Sequence, residues 1–166
     1  MDRVASPWLI KRFVDPDAEF GFLPFGNEFP LPDDAIPFAI PGVELGPHDA
    51  AGSTFRKIML KYALTDPALE ILAKMIESGV THVFHHHEPD YSVGDLPYAE
   101  GVGLDSLAAG MMYACQDDAD NVAKSVVIYD GLYAYCRSLV LLEAHPELKT
   151  LPVPRIWDAI RAGLRN

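Results

Sequence analysis

Apolar side chains recur at alternating spacings of four and three residues through the later part of the sequence. The set consists of Val122, Val126, Tyr129, Tyr133, Cys136 and Val140. This spacing marks one face of an α-helix, which repeats every ~3.6 residues. Asp117 or Asp118 can cap the start of the helix, and Pro146 ends it. The pattern predicts that this long helix is the central core helix and, with it, a mainly α-helical domain.

Shorter segments show the same periodicity and carry helix start signals. The predicted starts are Ser6-Pro7, Ser53 or Thr54, Thr65-Asp66-Pro67, the residues after Gly103, and Pro154. Ser, Thr and Asp cap helices, and proline fits the first helical position. Gly79 is predicted to end the third of these helices. Residues 80–102 show no periodicity and are interpreted as a long histidine-rich loop.

One segment of the N-terminal third does not fit a helix. Residues 20–23 and 36–40 have the composition of short strands, but prolines interrupt the region. They stand at positions 24, 30, 32, 37 and 41. Proline cannot donate to a sheet ladder, so it is confined to edge strands and connections. The sequence predicts a small edge β-hairpin with a long connection.

Composition limits the classes of function. The 166 residues include 24 acidic and 13 basic ones, which gives a formal net charge of −11 and no basic run. Such a surface repels nucleic acid and anionic membranes. No leader pattern and no stretch of ~18 apolar residues is present, which predicts a cytoplasmic protein without a membrane span. No phosphate loop or dinucleotide glycine pattern occurs, so no nucleotide cofactor is expected.

Five blocks of sequence resemble the C-terminal domain of ChrB-type chromate-resistance proteins. They are DRVASPWLIKRFVDP at 2–16, PGVELG at 41–46 followed by His48, STF at 53–55, YALTDPAL at 62–69 and YDGLYAYCR at 129–137. Together they cover about residues 2–138 in the family's order. The chain is therefore interpreted as a single ChrB C-terminal-like domain over residues 1–166.

The resemblance implies a role in chromate resistance, because better-known family members are described as chromate-responsive regulators of a chromate efflux operon. The chain departs from the family pattern at three positions. Pro47 stands where the family pattern has a second histidine beside the position of His48. Ser53 and Arg56 stand where the family pattern has a cysteine and an acidic residue. The histidine-rich segment is longer than the corresponding family loop. The histidines of this segment are candidates to replace the missing ligands.

Carboxylate and imidazole groups form the first candidate site. Its predicted metal ligands are Glu44, His48, His85 and His87. These donors suit a divalent transition metal such as Zn, Fe, Mn, Ni or Cu. In an extended segment, His85 and His87 would point the same way. The alternative is a solvated polar loop with one histidine bonded to the core.

Cationic and aromatic residues form the second candidate site, for a small anion or other small molecule. The predicted ligand-binding residues are Arg3, Trp8, Lys11, Arg12, Asp130 and Tyr135. The planar guanidinium of arginine matches carboxylates and tetrahedral oxyanions. The alternative is structural: Arg3 or Arg12 pairs with Asp15, Asp17 or Asp130 and holds the N-terminal helix in place.

The sequence is therefore compatible with three functions. The first is a cytosolic metal- and/or oxyanion-binding domain of the chromate-resistance type. The second is a metal-dependent hydrolase or lyase on a small acidic or aromatic molecule, with His48 and Glu88 as catalytic residues. The third is a protein-interaction module without a small-molecule site. The sequence is compatible with an oligomer and leaves open whether the chain is an enzyme.

Overall fold

The computed structural model describes residues 1–23 and 30–165. Within them lie six α-helices. These are α1 (Asp2–Phe13), α2 (Thr54–Lys61), α3 (Pro67–His85), α4 (Glu100–Ala114), α5 (Asp118–Ala144) and α6 (Val153–Gly163). Short 3₁₀ helices span Val93–Asp95 and Pro146–Thr150. The prediction of a mainly α-helical fold is confirmed.

The predicted capping residues begin three of the helices. The Ser53 side chain accepts a hydrogen bond from the Arg56 amide at the start of α2. Asp66 accepts from the Ala68 amide, with Pro67 at the first position of α3. Asp117 caps α5. Each side chain pairs an amide that has no partner within its helix, which explains why local sequence predicts these starts.

Helix α1 begins five residues before its predicted start, at Asp2 rather than at Pro7. Ser6 was expected to cap it, but the helix begins at Asp2 and Pro7 lies inside it. The amides of Val4 and Ala5 bond instead to the Met1 carbonyl. A proline in the second turn costs a helix hydrogen bond. Here the cost is offset by burial of the segment around Pro7, where Ala5, Trp8 and Leu9 are almost inaccessible to solvent.

Helix α3, rather than α5, lies at the centre of the fold. It packs against both α4 and α5, and its buried side chains form much of the core. They include Leu69, Leu72, Ala73, Met75 and Ile76. Helix α5 packs against α1, α3, α4 and α6, but several of its buried residues are polar, and Val127 is 77% exposed. The interpretation of α5 as the central core helix is therefore wrong.

Gly79 does not end α3 but allows it to cross α4 closely. A Cβ atom on Gly79 would lie 2.7 Å from the Gly101 carbonyl oxygen, and one on Gly101 would lie 2.5 Å from the Gly79 nitrogen. The two backbones can touch only because neither residue has a side chain. Helix α3 therefore continues to His85, six residues beyond the predicted end.

The predicted edge hairpin is not seen in residues 20–23 and 30–45; residues 24–29 lie outside the described part of the chain. Where strand 36–40 was expected, an isolated parallel bridge joins Phe38 to Leu45. A second bridge joins Asp49 to Gly52. The prolines that limited the strand prediction to an edge also remove the donors that a ladder would need.

Helix α5 is long and apolar enough to cross a bilayer by length and composition alone. Core helices of soluble proteins meet the same criterion, so this is weak evidence for a membrane span. Near the middle of α5, Asp130 forms an ion pair with Arg12 of α1. The helix is thus tied into the helical domain through a charged contact.

Candidate functional site

A groove of about 450 Å³ runs between the start of α1, the second half of α3, α4 and the first half of α5. Its walls are mostly apolar, with Val4, Val80, Val83, Phe84, Leu104 and Met111 among the lining residues. Ligand sites for small molecules have this range of volume and a few polar groups within an apolar lining. The groove is therefore the candidate site of this protein.

Polar groups lie at several places along the groove, among them Asp105 of α4. Arg3 of α1 and Asp118 of α5 line it and form an ion pair of 2.6 Å between Nη2 and Oδ2. Deeper in the groove, the Ser125 hydroxyl donates to Asn121 Oδ1 at 3.0 Å, and both residues are buried. Asn121 and Ser125 were not predicted as site residues. Two polar residues four apart share one face of a helix, so their position beside the apolar stripe of α5 could have indicated a polar contact there.

His48 reaches the groove from the segment that precedes α2. The Thr54 hydroxyl donates to the Gly46 carbonyl at 2.8 Å, and Lys57 Nζ donates to the Pro47 carbonyl at 2.8 Å. These bonds hold the segment against α2 and leave His48 exposed at the groove. The hydrogen bond from Lys57 lowers the pKa of Asp49, the next residue. His48 and Arg3 are thus the predicted site residues that the groove brings together.

Glu44 is not part of that arrangement. Its carboxylate pairs with Lys61 Nζ at 2.6 Å and its side chain is 72% exposed. Within residues 1–23 and 30–165, no three His, Cys, Asp or Glu side chains lie close enough to hold a metal ion. The predicted ligand set of Glu44, His48, His85 and His87 is therefore not assembled there.

The predicted histidine-rich loop at residues 80–102 is confirmed only in part: residues 80–85 belong to α3 and residues 100–102 to α4, while residues 86–99 contain no α-helix and one 3₁₀ turn at Val93–Asp95. His82 and His85 lie in the last turns of α3, and His86 still has helical backbone angles. His85 and His87 therefore do not share one side of an extended strand. His85 Nδ1 lies 2.7 Å from Glu88 Oε1, and both side chains are about half exposed. The catalytic roles predicted for His48 and Glu88 stay predictions.

The structure brings part of the predicted cationic site together: Trp8, Lys11 and Arg12 line a small cavity of about 60 Å³, which is separate from the groove that Arg3 lines. Arg12 donates through Nε and Nη2 to the two carboxylate oxygens of Asp130, at 2.9 and 2.6 Å. The Trp8 indole N–H donates to the same carboxylate at 2.8 Å. Lys11 Nζ lies 5.9 Å from the centre of the Phe20 ring. Arg12, Trp8 and Asp130 thus join α1 to α5, as the structural alternative predicted.

Tyr135, the last predicted ligand-binding residue, links two helices. Its hydroxyl, on α5, donates to Glu100 at the start of α4, at 3.0 Å. Partial burial, with this hydrogen bond, raises the pKa of the phenol. Tyr135 is not among the residues that line the groove, so the structure places it apart from Arg3 and His48.

The Asp130 carboxylate makes stability depend on pH. The hydrogen bond from Arg12, with that from Trp8, lowers the pKa of Asp130 in the folded protein. The carboxyl has a pKa of ~3.9 in the unfolded chain, so the lower pKa in the folded protein stabilises the fold at pH values above ~3.9. This contribution is lost as the pH falls through the pKa of the folded state. Asp130→Asn should lower the free energy of unfolding by about 1 kcal/mol at pH 7, because solvent screens this half-exposed pair.

Urea unfolding of both proteins between pH 7 and pH 2.5 measures this contribution. The difference between wild type and Asp130→Asn should shrink below about pH 4. Asp158→Asn, on exposed α6, is the matched control and should show no such difference. A difference for Asp130→Asn that stays constant down to pH 2.5 would contradict the role given to the charge.

Comparison with known proteins agrees with the resemblance in the sequence. Residues 1–136 match the family described as ChrB, C-terminal domain. Protein ChrB of Cupriavidus metallidurans is 31% identical over 139 residues, which are 83% of this chain and 38% of that relative. The chain thus spans little more than a third of the relative's length. No solved structure matches the chain. Because the family match covers most of its length, the chain belongs to the ChrB C-terminal domain family.

Proposed function

We propose that this chain is a ligand-binding domain of the chromate-resistance type, and that it takes a small tetrahedral oxyanion at the Arg3 side of the groove. Family membership supports the link to chromate resistance. The observation that carries the proposed site is the Arg3–Asp118 ion pair at the groove. A guanidinium that already holds a carboxylate presents donors suited to an oxyanion.

Arg3 suits an exchangeable site better than Arg12 does. Arg12 uses two nitrogens along one edge of its guanidinium on Asp130, which the indole of buried Trp8 also holds. Arg3 contacts Asp118 through one nitrogen, and the two side chains are 47% and 40% exposed. Exposed single-contact pairs contribute only ~0–1 kcal/mol, so an incoming anion competes with Asp118 at little cost.

Exchange of this kind would change one contact between α1 and α5. Asp118 holds Arg3 near the start of α5, whereas Asp130 holds Arg12 three turns further along the same helix. An oxyanion that takes Arg3 would release the first contact and leave the second. The first turn of α1 would then lose its charged contact with α5, while the buried side chains of Ala5 and Trp8 keep the helix packed on the core.

Binding of molybdate tests the site. Molybdate is a tetrahedral dianion that does not oxidise thiols, which matters because Cys115 is free and half-buried. Calorimetric titration at low ionic strength should show that Arg3→Gln weakens binding by about 3–10-fold, the equivalent of the ~1 kcal/mol of a charged contact that is half open to solvent. Sulfate and chromate should compete for the same site.

Arg161→Gln is the matched control, because Arg161 lies on exposed α6 and its nearest carboxylate is 4.0 Å away. This variant should bind molybdate as the wild type does. Equal affinity of Arg3→Gln and wild type would refute the site at Arg3. Loss of binding in Arg161→Gln to the same extent would mean that only overall charge matters.

A further inference from the structure

Four histidines lie around the C-terminal end of α3, apart from the groove. His82 and His86 are one helical turn apart, and their ring centres are 5.2 Å from each other. Val80 and Phe84, which line the groove, lie on roughly the opposite side of the same helix. The pair therefore faces a different surface from the Arg3 site.

From this geometry we infer that His82 and His86 form a surface site for a divalent transition metal, in which the two imidazoles bind one ion. Residues four apart on a helix lie on the same face, so both rings can reach one ion. Two imidazoles bound at ~2.0–2.1 Å to one metal ion have ring centres about 4.5–5 Å apart, the shorter value for the 90° angle that Ni²⁺ and Cu²⁺ prefer and the longer one for a tetrahedral ion. The observed separation of 5.2 Å is close to this range, so the rings need to move little to bind one ion.

Hydrogen bonds around the two rings favour binding through Nε2. His86 Nδ1 lies 3.0 Å from the His82 carbonyl oxygen and 3.2 Å from that of Val83. Carbonyl oxygens only accept, so Nδ1 carries the proton and Nε2 has a free lone pair. His82 Nδ1 lies 2.9 Å from the Tyr91 hydroxyl, and the two rings are in tilted contact, with centres 5.6 Å apart. Metal-binding histidines typically have such a partner on the other ring nitrogen.

The surroundings also favour a cation. The last turn of a helix carries partial negative charge from carbonyl groups that lack a partner. The chain as a whole has a formal net charge of −11. Two imidazoles leave further coordination positions to water. Imidazole donors select Zn²⁺, Ni²⁺ or Cu²⁺ over Mg²⁺ or Ca²⁺.

Titration of the untagged chain with Ni²⁺ in a calorimeter tests the site. One Ni²⁺ ion should bind per chain, and His82→Gln or His86→Gln should weaken binding by at least tenfold. Tyr91→Phe removes the hydrogen bond to His82 Nδ1 and should weaken it by about 10–100-fold. His82 is half-buried, so its substitution could disturb the core. His86 is exposed, and its substitution therefore tests the site without that effect.

His85→Gln is the decisive control, because His85 belongs to the same run of histidines but its Nδ1 pairs with Glu88, whereas the ring of His87 packs against that of His86 at 5.7 Å. It should bind Ni²⁺ within about threefold of wild type. Electron paramagnetic resonance of the Cu²⁺-loaded chain should show two nitrogen ligands in wild type and His85→Gln, and one in His86→Gln. Equal losses in His85→Gln and His86→Gln, or no loss in either, would overturn the site. Arg3→Gln should not alter Ni²⁺ binding, which separates this test from that of the oxyanion site.

Discussion

Gly101→Ala is expected to lower the free energy of unfolding by about 1–3 kcal/mol, the usual cost of an atom forced into a packed contact. The new Cβ would lie 2.5 Å from the Gly79 nitrogen and 2.6 Å from the Met75 carbonyl oxygen. Both neighbours are backbone atoms in the middle of α3, so neither can turn aside. Helix α4 would have to move away from α3 and open the contact on which that wall of the groove depends.

Gly103→Ala is the control for this prediction, because Gly103 lies in the same helix with nothing within 4 Å of the added Cβ. It should leave stability unchanged or raise it by up to ~1 kcal/mol, since alanine favours the helix. Chemical unfolding of both variants measures the difference. Equal stability of Gly101→Ala and Gly103→Ala would contradict the close crossing of α3 and α4.

Phe55→Ala should have a larger effect, a loss of about 3–5 kcal/mol, because it leaves a cavity in the core. Phe55 is fully buried on α2 and stacks on Trp8 of α1, with ring centres 6.4 Å apart. Domains of this size are stable by only ~5–15 kcal/mol, so the variant should be close to unfolding at 37 °C.

Leu60→Ala removes a similar apolar side chain from the same helix and is the matched control. Leu60 is 71% exposed, and its loss should change stability by no more than ~0.5 kcal/mol. Thermal and urea unfolding of both variants test the prediction. A small loss for Phe55→Ala would mean that the contact between α1 and α2 is not part of the core.

The core around Trp8 also bears on the proposed response to an anion. The indole packs against Phe13, Phe55, Tyr129 and Tyr133 while its N–H bonds to Asp130. The middle of α1 is therefore held by packing and by a charged hydrogen bond. Its first turn contacts α5 through the exposed Arg3–Asp118 pair. An oxyanion at Arg3 would act on the less firmly held end of the helix.

Local signals account for what could be predicted. The starts of α2, α3 and α5 follow from Ser53, Asp66-Pro67 and Asp117, because a capping side chain acts on amides within its own turn. The Arg12–Asp130 pair was foreseen as one alternative, since both residues lie off the apolar stripes of their helices. The pairing of Arg3 with Asp118 was not foreseen.

Two of the errors, the end of α3 and the start of the histidine-rich loop, share one physical cause. Gly79 looks like a helix end and the histidines that follow look like a loop, because glycine and aperiodic polar residues usually mark such places. Burial of Val80 and the close contact with Gly101 extend α3 through this segment instead. That extension places His82 and His86 on one face of a helix, where an extended loop would have paired His85 with His87.

The sequence alone thus determined the helical class, three helix starts and the family, because periodicity, caps and motif blocks are properties of neighbouring residues. Tertiary packing decided which helix is central, where α3 ends and which polar groups meet at the groove. Arg3 and Asp118 are 115 residues apart, and contacts of that range depend on how helices cross rather than on local pattern. Glu44 pairs with Lys61 for the same reason: the fold brought a lysine to the carboxylate that was expected to bind a metal.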